Sequence, residues 1–135
     1  MDIGHELYKN RVSLFYNSKS DLILKIYSFD GKHHSAKAPV NMEGFFDRDH
    51  VILCVWNPVR GSIKINVDGK EYAKTVHPFF LQDIATRLLI GTDISKKHFA
   101  RMLCYLVQAY ARPFDDEEAL ELIKELREQF KLDLT

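Results

Sequence analysis

The chain has only two cysteines, Cys54 and Cys104, each in apolar surroundings and neither in a Cys-x-x-Cys pair. That pattern argues against a disulfide framework and reads as two small buried hydrophobes in a reducing compartment. Nowhere are there 18 consecutive apolar residues, so no segment has the length of a helical bilayer span. Residues 1–10 carry Asp2, Glu6 and Lys9 without an apolar run, which reads against a secretory signal and predicts a cytoplasmic, intracellular protein. Catalytic signatures are missing as well: there is no glycine-rich phosphate loop, no Gly-x-Ser-x-Gly elbow and no His-Glu-x-x-His. The expectation is a non-enzymatic chain without cofactor or metal.

Six histidines leave little room for a hidden centre. His33 and His34 are adjacent, so in a strand they point to opposite faces. His77 precedes Pro78 and reads as a helix-start residue. Asp47, Asp49 and His50 are hard-metal ligand types in one loop, with nothing nearby to complete a coordination sphere. His50 is the best general base by residue type, but neither Ser nor Cys stands in a context that pairs with it.

What the sequence does contain is patterned. At 135 residues, 46% hydrophobic and 28% charged, it has the size and composition of a single globular domain able to bury a core without staples. Ile63, Ile65 and Val67 alternate with Ser62, Lys64 and Asn66 up to Asp68-Gly69, the signature of a half-buried strand entering a two-residue hairpin turn. Leu22–Lys37 looks like an earlier copy, with Leu24-Lys25-Ile26, Asp30-Gly31-Lys32 and Ala36-Lys37 matching Ile63-Lys64-Ile65, Asp68-Gly69-Lys70 and Ala73-Lys74. Aligned at an offset of 39 residues, Val12–Ile26 and Val51–Ile65 share four identities in fifteen. An internal repeat, 12–38 against 51–76, is one reading; the other is that any two β-meanders share alternation and Asp-Gly turns.

Six strands follow: Arg11–Asn17, Leu22–Phe29, His33–Ala38, Val51–Trp56, and the two arms of the Asp68-Gly69 hairpin. Beyond them, three helices are predicted. The first opens at Pro78 with Phe80, Leu81, Ile84 and Leu88 on one side. The second is capped by Asp93 or Ser95 and carries Phe99, Met102, Leu103, Leu106 and Tyr110, with Cys104, Tyr105, Val107 and Ala109 widening its apolar surface into a core helix or dimer seam. The third opens at Asp115, where Asp115 and Glu118 have capping-box spacing. The predicted fold is α+β: two three-stranded antiparallel meanders over 11–77, as a sandwich, open barrel or single sheet, followed by a three-helix region over 78–135.

Charge points to the functional expectation. The net charge is zero, yet residues 1–114 carry 16 Lys and Arg against 11 Asp and Glu, a net +5, whereas residues 115–135 carry 3 against 8, a net −5. Such an acidic tail lies on its own basic body, pairs with another copy, or shields an anion-binding surface; a solvated acidic helix face is the plainer reading. If the repeat holds, Lys25/Lys64, Lys32/Lys70 and Lys37/Lys74 occupy equivalent places, and Lys19 and Arg60 share the first turn of each module. These residues form paired basic strips, expected to hold RNA phosphates or anionic lipid headgroups in a self-associating binding protein. Lysines that only solubilise a sheet face are the simpler account. The alternative function is an inhibitor or adaptor gripping another protein through Phe45-Phe46, or through Glu117, Glu121, Ile123, Leu126 and Phe130 of the third helix.

Overall fold

The structure, a computed structural model, describes residues 1–4, 6–17, 19, 21–40, 45, 47–82, 88–90, 95, 104–110 and 112–132. Their strands are β1 (Asp2–Ile3), β2 (Arg11–Tyr16), β3 (Asp21–Tyr27), β4 (His33–Pro39), β5 (Ile52–Asn57), β6 (Ser62–Val67), β7 (Lys70–Thr75) and β8 (Leu88–Leu89). The helix α1 spans Asp116–Gln129. Two sheets result, one with order β4-β3-β2-β1-β8 and one with order β5-β6-β7, every neighbour antiparallel.

Alternation builds the core. β3 sends Leu22, Leu24 and Ile26 inward, β4 adds Ala36 and Ala38, and β6 answers from the second sheet with Ile63 and Ile65, in one buried cluster with Val12 and Val40. Leu24, Ile26, Ile63 and Ile65 are wholly inaccessible. Each such side chain contributes roughly 1.5–3 kcal/mol by leaving water, so this small set is the main adhesive between the layers. β4 lies across β6 and β7, which fixes how the sheets face each other.

The two meanders occupy β2-β3-β4 and β5-β6-β7, but their pairing is not a copy. Val12 lies opposite Ile26, whereas Cys54, not Val51, lies opposite the corresponding Ile65. Five residues connect Tyr16 to Leu22 and four connect Asn57 to Ser62, and the first strand of the second meander stands three residues out of the 39-residue alignment. The following hairpins also differ. Asp68 and Gly69, at φ +54° and +100°, make a two-residue turn of the primed type, while Ser28–Lys32 is a five-residue loop. As a result Lys37 stands opposite Ile23 on the outer face, and Lys74 stands opposite Ile63 on the core row. A one-residue slip reverses the face of a strand residue, so these two lysines are not equivalent.

The three-helix region is corrected to one helix among the described residues. Phe79 donates its backbone N–H to the Pro58 carbonyl, Phe29 donates to the Phe80 carbonyl, and Gln82 donates to the Asn10 side chain. The chain after Pro78 therefore spends its backbone groups on distant partners rather than on a helical ladder, and Leu88–Leu89 pairs with β1 as a strand. Residues 104–110 are non-helical and exposed throughout, so they are neither a core helix nor part of one. An apolar stripe holds a helix only when something packs over it. Ile84, Asp93, Phe99, Met102 and Leu103 lie outside the described residues.

The acidic segment forms α1 as its cap predicts. Asp115 accepts from the Glu118 N–H at 2.8 Å and the Glu118 carboxylate returns the bond at 3.4 Å. Ala119, Ile123 and Arg127 form its buried stripe. Asp116 meets Lys64 Nζ at 2.6 Å, and Arg127 donates to the Asp68 carbonyl at 2.9 Å. With an anchor at each end, α1 lies over the outer face of the second sheet, where Val55 and Asn66 are buried. The acidic tail thus rests on its own body. No helix among the described residues is long and apolar enough to cross a membrane.

The start of α1 carries a pH prediction. Arg112 grips Glu118 through both guanidinium nitrogens and holds its carboxyl down to about 2, from an ordinary 4.5. A carboxyl whose folded value is depressed adds stability that is complete above its unfolded value and disappears as pH falls through the folded one. Glu118 should therefore titrate near 2 by NMR, and amide protection of the first turn of α1 should decline between about 4.5 and about 2. Arg112→Ala should move the midpoint up toward the ordinary value; an unchanged midpoint would remove Arg112 as the cause.

Candidate functional site

The outer face of the five-stranded sheet is composed by the same alternation that buries Leu24 and Ile26. β3 turns Ile23, Lys25 and Tyr27 outward, and the register sets three rows across β2, β3 and β4: Arg11-Tyr27-His33, Ser13-Lys25-Ser35 and Phe15-Ile23-Lys37. Tyr27 is the centre of the first row. Lys25 Nζ lies 5.1 Å from its ring centroid and the Arg11 guanidinium 5.9 Å. Tyr8 meets it edge-on at 6.0 Å, and the His33 ring lies at 5.9 Å. Tyr8 is 70% exposed, so the cluster opens to solvent.

The two cations differ in their electrostatics. Arg11 is held by Asp2 through Nε at 2.8 Å and NH2 at 2.6 Å, which balances its charge and fixes the guanidinium beside the ring. Lys25 has no carboxylate within 4.0 Å among the described residues, so its charge is available to an incoming anion. Lys37 extends the face and approaches Asp21 at 3.7 Å.

The predicted basic strips are divided among several surfaces. Lys25 and Lys37 share the outer face just described. Lys19 and Arg60 sit exposed in the β2–β3 and β5–β6 turns, and Lys32 sits in the β3–β4 loop 3.8 Å from Asp30. Lys64 is engaged by Asp116 at 2.6 Å and Glu71 at 3.6 Å beneath α1. The hydrogen bond that Lys64 donates to Asp116 raises the Lys64 pKa and lowers that of Asp116. Lys70 lies 5.4 Å from the Tyr72 ring, and Lys74 is exposed, both on β7. Tyr27, Arg11, Tyr8, His33 and Phe15 were not among the predicted residues. The signal for Arg11, Phe15 and Tyr27 is the alternation Arg11, Ser13, Phe15 read against Ile23, Lys25, Tyr27.

The residues of the alternative are placed as follows. Phe45 is half-buried and stacked on His50 at 3.9 Å, while Phe46 lies outside the described residues. Glu117 and Glu121 are exposed on α1; Ile123 is 2% accessible and faces its own chain; Leu126 and Phe130 are half-buried, Phe130 with Tyr105 at 6.2 Å. His50 engages Asp68 through Nδ1 at 2.6 Å and the Phe45 carbonyl through Nε2, so neither nitrogen offers a lone pair to a substrate. Burial pushes the Cys54 thiol up to about 12, which makes it an inert core group. Among the described residues no three His, Cys, Asp or Glu side chains converge as metal ligands.

Comparison with known proteins adds no identity to this geometry: no family model, no curated protein and no solved structure matches the chain.

Proposed function

We propose that the chain is a non-enzymatic binding protein that takes single-stranded RNA on the outer face of its five-stranded sheet. The observation that carries this reading is Tyr27, an outward ring with Lys25 and Arg11 against it and Tyr8 and His33 beside it. An unpaired base offers a π-face to such a ring, and the neighbouring ammonium meets the phosphate between bases. Ser35 flanks Lys25 in the adjoining row, adding a partly exposed hydroxyl of the kind that contacts sugar and phosphate.

Fluorescence anisotropy with a labelled short oligouridine, after removal of co-purified nucleic acid, tests the proposal. Tyr27→Ala should weaken binding by about 1–3 kcal/mol, the typical loss of one stacked base. Lys25→Gln should weaken it and reduce the salt slope by about 0.7, the single-strand value for one phosphate. Lys64→Gln, beneath α1, should do neither. Equal losses at Lys25 and Lys64 would remove the face as the site, and binding to anionic vesicles in place of RNA would replace the partner. A failure to bind RNA or vesicles at any salt would shift weight to the protein-interaction reading, which Leu120, 51% exposed between Glu117 and Glu121, supports.

A further inference from the structure

The β3–β4 hairpin has a second side. Tyr27 and His33 pair on the outer face, while the next pair inward, Ile26 and His34, faces the opposite way. There His34 lies against Phe79 with ring centroids 5.4 Å apart at 33°. At the loop, Phe29 meets Phe80 edge-on at 5.9 Å. Between these two aromatic pairs is a cleft of about 460 Å³, closed on one side by the hairpin loop and on the other by the segment that begins at His77. Phe29 and Phe80 are 47% and 63% exposed, so the walls present ring surface to whatever enters.

Asp30 is the acceptor of this cleft. Its Oδ1 takes the Ser28 hydroxyl and, at 3.1 Å, the Lys32 backbone N–H, which fixes the carboxylate and holds its pKa below the usual range. Among the described residues Oδ2 is left with the Lys32 ammonium, 3.8 Å away, on a side chain 79% exposed. Burial lowers the His34 pKa, with the Asp30 charge opposing it and His33, His77 and Lys74 reinforcing it, so the stacked imidazole is a neutral wall. The cleft therefore offers flat aromatic surfaces, one oriented anionic acceptor, and an exposed cation at the rim.

We infer that the cleft between Phe29–Phe80 and His34–Phe79 seats an unpaired guanine base, its N–H donor edge toward Asp30. A carboxylate accepts only, so it is matched by the adjacent N1–H and N2–H of guanine and is opposed by the N1 acceptor of adenine. The rim ammonium of Lys32 suits the attached phosphate. The inference rests on the proposed RNA-binding reading for its supply of bases: a strand crossing Tyr27 meets this cleft at the far side of the same hairpin.

The test uses the intact protein and free guanosine and adenosine monophosphates, followed through the imidazole resonances of His34 and His77, with inorganic phosphate as the control. GMP should shift both rings saturably, and AMP should bind at least about ten-fold more weakly, as expected when the donors facing Oδ2 are replaced by an opposed acceptor. Asp30→Asn should abolish the difference between the two nucleotides. Phe80→Ala, on an exposed wall, should weaken both and keeps the inference testable if the loop of Asp30→Asn is disturbed. Equal shifts with GMP, AMP and phosphate, or none at either ring with GMP, would overturn it. A GMP shift alongside absent oligouridine binding would sink the sheet-face reading alone; oligouridine binding alongside silent histidines would sink the cleft alone.

Discussion

Gly61→Ala should destabilise the fold by about 4 kcal/mol, combining a left-handed alanine with severe overpacking, and should lower Tm by more than about 10 °C in thermal unfolding. Gly61 sits at φ +69° in the β5–β6 turn, and a Cβ there would lie 2.1 Å from the Val76 carbonyl oxygen. Neither atom has room to retreat. Gly61 donates to the Asn57 carbonyl at 2.9 Å and accepts from the Val76 N–H at 2.7 Å, so the turn is tied to the exit of β7. Pushing that exit away also strains the Phe79-to-Pro58 bond at 3.0 Å, and with it one wall of the cleft. Gly69→Ala is the internal control. Its φ of +100° is also left-handed, but nothing lies within 4 Å of the added Cβ, so about 1–2 kcal/mol of backbone cost is all it should lose. Equal losses at the two glycines would show that conformation, not overlap, decides the effect.

Those turns also mark how far the sequence could be read. Alternation is local, so Leu24 and Ile26 inward and Lys25 outward follow from adjacent residues, and the Asp68-Gly69 hairpin follows from its own dipeptide. The Asp115–Glu118 capping box is equally local. What the sequence conceals is set by distant partners. Phe80 and Leu88 fit a helical stripe, yet the Phe80 carbonyl accepts from Phe29 and Leu88 pairs with Ile3. The Val12/Val51 and Leu14/Leu53 identities suggest equivalence, but turn length sets register, and the two modules turn differently. The site shows the same division. Lys25 was visible as an outward lysine, whereas the row Arg11-Tyr27-His33 exists only once three strands are in register. Lys64 looked like its twin and lies under α1, because a helix more than fifty residues downstream supplies Asp116.

Asp68 joins that local turn to the distant helix, and replacing it tests whether the junction holds the second sheet. Oδ1 accepts the Val51 N–H at 2.8 Å, Oδ2 meets His50 Nδ1 at 2.6 Å, and the backbone carbonyl takes Arg127 at 2.9 Å. Asp68→Ala deletes both side-chain acceptors and leaves a non-glycine residue at φ +54° without the local bonding that favours aspartate there. Two partly buried donors losing their acceptor, at about 1–3 kcal/mol each before relaxation, set an expected cost of about 3 kcal/mol. Asp68→Gly separates the causes, since glycine adopts the positive φ freely but restores no acceptor, and it should recover only about 1 kcal/mol of the loss. Chemical denaturation of the two variants and of Asp68→Asn, which keeps one acceptor, gives the ranking. Full recovery in Asp68→Gly would assign the effect to the turn backbone and release His50 from any structural role. The expected partial recovery would place His50 and Val51 among the groups that hold the 47–51 segment against the second sheet, the packing that His50 shares with the stacked Phe45 ring.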